Sequence, residues 1–201
     1  MAETFINRNI QEFRSRMTGG GARSNLFEVE ITFPDGIGIS ETSVSDKVPF
    51  LVKAAEIPAS NLGNIPVPYR GRVLPIAGDR TFDPWTVTII NDTNFKIRDA
   101  MEQWSNSIND LQTSQGIIDP ADYQTNAKVK QLSRKGGNDP GKIEVLREYR
   151  FEGIYPNVVS SIPLDYGATD QIEEFQVTFN YLFWEVVGGT TDYGGSLNEE
   201  S

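Results

Sequence analysis

Cysteine and histidine are both absent from the 201 residues of this chain. The first absence excludes disulfides and thiolate chemistry, and the second removes the side chain most used as a general base and metal ligand near neutral pH. An enzyme is therefore disfavoured, and no cofactor or metal is expected. Long apolar runs are missing too. A membrane-spanning helix needs about 20 apolar residues, so no membrane insertion is expected. The first residues carry Arg8, Arg14 and Arg16 without an apolar stretch, so they do not read as a signal peptide. The chain is expected to be made and kept soluble in a cytoplasm. Clustered base is also scarce: 18 Lys and Arg stand against 28 Asp and Glu, a formal charge of −10. That balance argues against an ordinary nucleic-acid binder, which needs grouped cations for phosphate. Residues 1–24 hold four Arg against two Glu, and residues 185–201 hold four carboxylates and no base. Net charge speaks to solubility and steering rather than to fold.

At 38% hydrophobic residues the chain can build one packed domain. The reading is a core over about 22–184, an N-terminal arm 1–21, a loop 34–48 and a mobile acidic tail 185–201. Phe5, Ile6, Ile10, Phe13 and Met17 share one helical face, which predicts a short amphipathic helix over 4–17. Phe27, Val29, Ile31 and Phe33 alternate with Glu28, Glu30 and Thr32, the pattern of a half-buried strand. Pro34 to Val48 is polar and punctuated by Gly and Ser, hence loop, with room for a hairpin at Gly38–Val44. Such a segment is either functional or ornament.

Further strands are predicted at Phe50–Ala55, Val73–Ala77, Trp85–Ile90, Ala127–Leu132, Lys142–Phe151 and Ile172–Trp184. A mid-chain helix opens with Asn94 as N-cap and carries the stripe Ile97, Met101, Trp104, Ile108 as a lid over an open sheet end. Two-faced strands with one mid-chain helix and a short N-terminal helix define a mainly β chain, an antiparallel β-sandwich or small barrel.

Chemistry-bearing clusters are few. Asp79, Arg80 and Asp83, next to Trp85, form the one compact charged group at strand ends. They read best as a structural corner that offers donors, acceptors and an ion pair to a turn. Lys128, Lys130, Arg134 and Lys135 lack interleaved aromatics and read as a solvated strand edge or a subunit contact. Asp165, Asp170, Glu173 and Glu174 match no calcium-loop spacing. The glycines at 19–21 and at 36 and 38 lack the Lys-Ser/Thr of a phosphate loop.

The run Ala77-Gly78-Asp79-Arg80-Thr81-Phe82, then Trp85-Thr86-Val87-Thr88, Asn91-Asp92 and an amphipathic helix, resembles the tail tube proteins of T4-like bacteriophages. Ala22–Ile31, Lys53–Ala59 and Glu174–Trp184 resemble other strands of that family. The loop at Pro34–Val48, the Gly136–Gly141 connection and the tail after Trp184 depart from it. The resemblance implies hexameric rings whose sheets join between subunits into a ring-shaped β-barrel, stacked into a pipe that conducts DNA into the host inside a contractile sheath. It implies a virion component, assembled in the host cytoplasm. The partners would be the chain itself, the tail sheath protein, the baseplate tube initiator and the tail terminator, with tape measure protein and DNA in the lumen without specific binding. It implies an inner wall of about 50–55, 67–77, 127–132 and 142–151, which makes Glu56 and Glu144 candidates for the lumen. Asp35, Glu41 and Asp46 of the loop are candidates for ring-to-ring contact. The alternatives are the inner tube of a phage-derived contractile injection or secretion system and a carbohydrate-binding β-sandwich with aromatics exposed on a groove.

Overall fold

The structure is a computed structural model that describes residues 9–17, 21–35, 44–136 and 143–188. Among these, nine strands and four helices follow in the order α1 (Ile10–Arg16), β1 (Phe27–Ile31), α2 (Val48–Leu51), β2 (Val52–Ala55), β3 (Asn61–Tyr69), β4 (Arg72–Thr81), β5 (Trp85–Ile90), α3 (Lys96–Ile108), α4 (Pro120–Tyr123), β6 (Thr125–Gly136), β7 (Ile143–Val159), β8 (Glu174–Asn180) and β9 (Phe183–Gly188). The mainly β, antiparallel expectation holds. Seven strands form one curled sheet in the order β1-β6-β7-β8-β5-β2, with β9 added on β7, and β3 with β4 stands apart as a two-stranded sheet.

The sheet curls because β7 changes neighbours along its length. Up to Glu152 it lies between β6 and β9, and from Tyr155 it pairs with β8. Between the two, Gly153 adopts φ +65°, and a Cβ there would sit 2.7 Å from Leu182. Only a residue without a side chain takes that conformation in that space cheaply. The two half-sheets, β1-β6-β7-β9 and β2-β5-β8-β7, thus fold toward each other over a shared core. Alternation supplies it: Val87 and Ile89 of β5, Phe175, Val177 and Phe179 of β8, Val29 and Ile31 of β1, and Phe151 of β7 are all buried. Helix α3 adds Ile97, Ala100, Met101 and Trp104. The Trp104 indole lies edge-on to Phe33 at 5.6 Å, and its Nε1 donates to the Tyr123 carbonyl at 2.8 Å.

Several boundaries differ from the sequence reading. Helix α1 is shorter than 4–17, its Ile10, Phe13 and Met17 face solvent, and Phe5 and Ile6 lie outside the described residues. The hairpin expected at Gly38–Val44 also falls outside them, except for Val44, which is buried together with Val48. The strand expected from Phe50 starts only at Val52, because Val48–Leu51 makes a helical turn with Pro49 inside its first turn. Asn94 does not cap α3. Phe95 holds the cap position at φ 52°, and Asp92 Oδ1 accepts from the Lys96 amide at 3.2 Å instead. The strand read as Ile172–Trp184 is two strands, broken at Tyr181–Leu182, and the one read as Lys142–Phe151 runs on to Val159.

Two outcomes follow for stability. Replacing Trp104 with Ala empties the centre of the core and leaves the Tyr123 carbonyl without its donor, so chemical denaturation should show a loss of about 3–5 kcal/mol. Asp92 joins α2's approach to α3: its Oδ2 pairs with Lys47 Nζ at 2.5 Å, and the Lys47 hydrogen bond holds its pKa below the ordinary 3.8 despite partial burial. A carboxylate lowered on folding contributes stability above its unfolded pKa, and the contribution is lost as pH falls through the folded value. Lys47→Met should therefore flatten the acid limb of a stability-against-pH curve below about pH 4.

Candidate assembly surface

Strands β3 and β4 pair in register from Ile65 opposite Ile76 to Tyr69 opposite Arg72. Arg70 and Gly71 connect them, at φ 45° and 79°. Two left-handed central residues make a type I′ turn, whose twist matches the strands; the first position usually takes Asn or Asp. An arginine there is strained, and its guanidinium lies over the Tyr69 ring at 5.3 Å. Apart from Asn61 and Gly78, every residue of the two strands is exposed.

Three prolines set how this hairpin presents its backbone. Pro66 faces Pro75, and Pro68 faces Val73. A proline has no N–H to give to the ladder, so all three occupy the positions whose nitrogens point outward. The outer edge of β3 therefore lacks donors at Pro66 and Pro68, and that of β4 lacks one at Pro75. Strand addition is blunted more on β3 than on β4. The side chains of Ile65, Val67 and Tyr69 share a face with Leu74 and Ile76 of the partner strand, and all five are 38% to 66% exposed. A lone two-stranded hairpin is marginal in water, and a stripe of this kind is the mark of a partner surface.

The hairpin is anchored at its base. Trp85 is buried, stacks on Phe151 at 4.4 Å, and donates from Nε1 to the Glu56 carbonyl at 2.9 Å. The corner read at Asp79, Arg80 and Asp83 is confined to Phe82–Pro84, because β4 runs on through Thr81. Asp79 and Arg80 consequently lie on a strand. Arg80 Nη1 donates to Ser60 Oγ at 2.7 Å, and Asp83 Oδ2 accepts from Asn61 Nδ2 at 2.5 Å. These contacts tie the two stems of the hairpin together.

The two half-sheets turn different chemistry outward. On β1-β6-β7-β9, Lys130 lies between Glu28 at 3.3 Å and Glu30, Lys128 reaches Glu148 at 3.1 Å, and Arg150 pairs with Glu152 and with Glu185 at 3.5 Å. Burial disfavours the Lys130 charge, but the hydrogen bonds and charges of Glu30 and Glu28 outweigh it and raise the pKa. The expected basic strand edge is thus a set of paired cations on β6, an internal strand; Arg134 is exposed, and the Lys135 side chain lies outside the described residues. On β2-β5-β8, the outward residues are Thr86, Thr88, Gln176 and Thr178, with Thr86 and Thr178 hydroxyls 3.1 Å apart and Lys53 paired with Glu174 at 2.6 Å.

The lumen candidates do not come together. Glu56 is exposed just after β2, whereas Glu144 is half-buried on β7 in the other half-sheet, beyond a register shift at Val145–Arg147. Asp35 and Asp46 are exposed, and Glu41 lies outside the described residues. No acidic group among the described residues, Asp165 to Glu174 included, is placed to hold a metal. Sequence reasoning missed Ile65, Leu74 and Ile76 as a surface. Their signal was present as alternation around an Arg-Gly turn, but alternation does not say which strands find a second layer.

A curled β-sandwich with paired outward charges and, among its described residues, an apolar hairpin that nothing covers defines a mainly β protein with a face open to association. Comparison with known proteins specifies it. The phage tail tube protein family matches residues 22–187. The tail tube protein gp19 of Enterobacteria phage T4 is 32% identical over 176 residues, which span 86% of this chain and 96% of that protein. The tail tube protein of Serratia phage KSP90 is 30% identical over 86% of this chain and 94% of that protein. In fold, the chain resembles a cryo-EM structure of an extracellular contractile injection system sheath/tube terminator, with TM-score 0.56, 14% identity and coverage of 84% and 97%. It also resembles a protein of the anti-feeding prophage baseplate, with TM-score 0.56, 13% identity and coverage of 85% and 98%. The chain belongs to the phage tail tube protein family.

The hairpin face can be tested directly. Ile65→Asp with Leu74→Asp places charge on exposed positions, so thermal unfolding should stay within about 1 kcal/mol of the parent. Sedimentation and electron microscopy should show a folded subunit that no longer forms tubes.

Proposed function

We propose that this chain is a non-catalytic wall subunit of a contractile phage tail tube, six copies closing into a ring and rings stacking into the pipe that conducts DNA. The observation that carries the reading is the exposed Asn61–Thr81 hairpin, which has no packing partner among the described residues. Its five apolar side chains are about half exposed, and burying the rest would contribute on the order of 5 kcal/mol. Association costs about 4–15 kcal/mol in lost freedom. One such contact is thus near balance, and closure of a ring, in which every copy both gives and receives, tips it. The tail-tube relatives favour this reading over a carbohydrate-binding sandwich, and the burial of Trp85 and Trp104 agrees with them. The partners that follow are the sheath around the pipe, the baseplate initiator below it, the terminator above it, and tape measure protein and DNA within. The polar part of the loop, with Asp35, Glu41 and Asp46, is assigned to contact between rings, while Val44, Lys47 and Val48 hold its end to the core.

The face that lines the channel follows from continuity. The hairpin extends from β2 and β5, so the sheet joined around the ring is β2-β5-β8-β7. Six subunit bodies cannot occupy the hole, so the face away from the core turns to the axis. That face carries Thr86, Thr88, Gln176, Thr178 and, past the end of β2, Glu56, and its Lys53 is neutralised by Glu174. A polyanion slides past such a surface because few cations exchange with its counterions. Glu144 then belongs to the outer or subunit-contact surface. Thr88→Lys with Gln176→Lys should leave tubes intact by microscopy but slow genome ejection, and the defect should shrink as salt rises. Ejection at the parental rate would remove this face from the channel.

A further inference from the structure

The other end of the subunit carries a groove. The connection from β7 to β8 encloses an open groove of about 680 Å³ lined by Ile162, Leu164, Ile172, Asp165, Asp170 and Glu173. Leu164 is 81% exposed and Ile172 71%, so the apolar part of the groove is unfilled. Residues 151–188 contain no lysine or arginine. Glu173 accepts from Asn91 at 2.9 Å, but Asp165 and Asp170 have no cationic partner among the described residues. The hairpin is the converse: residues 57–78 contain no carboxylate, and its tip is Tyr69-Arg70-Gly71-Arg72. The strain at Arg70 places a cation at the extreme of the turn.

The two surfaces lie at opposite ends of the same strands. Trp85 pairs with Phe179 and Ile90 with Glu174, so the groove sits at the Ile90 end of β5 and both stems of the hairpin leave at the Trp85 end. A protruding element at one end and a complementary recess at the other make a heterologous contact, which repeats along a line. We infer that the basic, apolar tip of one copy docks in the acidic groove of a second copy in the adjacent ring, with Tyr69 against Ile162, Leu164 and Ile172 and the arginines against Asp165 and Asp170. The inference rests on the tube reading and names a receptor surface within it.

Charge exchange tests it. Arg70→Glu with Arg72→Glu, and separately Asp165→Arg with Asp170→Arg, should each raise the concentration needed for tubes on the order of tenfold, since like charges then face each other. Combining all four changes should restore assembly toward the parental level. Because the chain has no native cysteine, Tyr69→Cys with Leu164→Cys should cross-link between copies in assembled tubes and give a ladder on a denaturing gel. Near-parental assembly of both charge variants, or two defects that the combination does not relieve, overturns the docking while parental tubes keep the wall reading intact. A parental chain that builds no tubes under any salt or seed overturns the wall reading, and the docking with it.

Discussion

Among the described residues nothing packs on the Asn61–Thr81 hairpin, so its apolar face is left open to another chain. Twenty-one residues are committed to a ladder that touches no second layer among the described residues, and five large apolar side chains on one face are 38% to 66% exposed. In a monomer that arrangement is a hazard, since exposed strands recruit whatever strand arrives. Pro66, Pro68 and Pro75 limit the hazard by removing outward donors, while the side-chain face stays available. An edge that is blunted and a face that is not direct association into one mode.

What makes the hairpin usable is that it is held firmly at its base. Trp85 is both the first residue of β5 and the ring that stacks on Phe151, and its indole nitrogen fixes the Glu56 carbonyl where the other stem begins. The Arg80–Ser60 and Asp83–Asn61 hydrogen bonds repeat the link further out. The charged corner that looks from sequence like the natural place for chemistry therefore works as a clamp. Sequence neighbours such as Asp79 and Asp83 are separated by the change from strand to bend, so they do not converge on a common point.

Much of the rest was legible because local pattern and tertiary environment agree. The α3 stripe, the alternation of β5 and β8 and the two-faced character of β1 follow from side-chain periods that a half-buried element must obey. The failures share a cause as well. Phe50 and Leu51 read as the start of a strand because they are apolar and β-prone, yet Pro49 favours a helical first turn over Val48–Leu51. Asn94 reads as a cap by type, whereas Asp92 reaches the Lys96 amide because Lys47 draws its carboxylate into place from a distant part of the chain. No window of neighbouring residues contains that interaction.

The sequence by itself determined the class of fold, the lack of cysteine and histidine and the family resemblance, because composition, strand period and a long ordered motif are local properties. Tertiary structure alone decided which alternating strands obtain a second layer. Val87 and Ile65 are similar residues in similar patterns, but one is fully buried and the other is half exposed. It also decided that Glu56, just past β2, and Glu144, on the β6 side of β7, stand apart, and that the groove at Ile162–Glu174 stands at the opposite end of the strands from the hairpin. Burial and relative position arise from pairings between residues far apart in the chain, such as Lys53 with Glu174, 121 residues apart, and Trp85 with Glu56, 29 apart, which come into being only when the sheet closes.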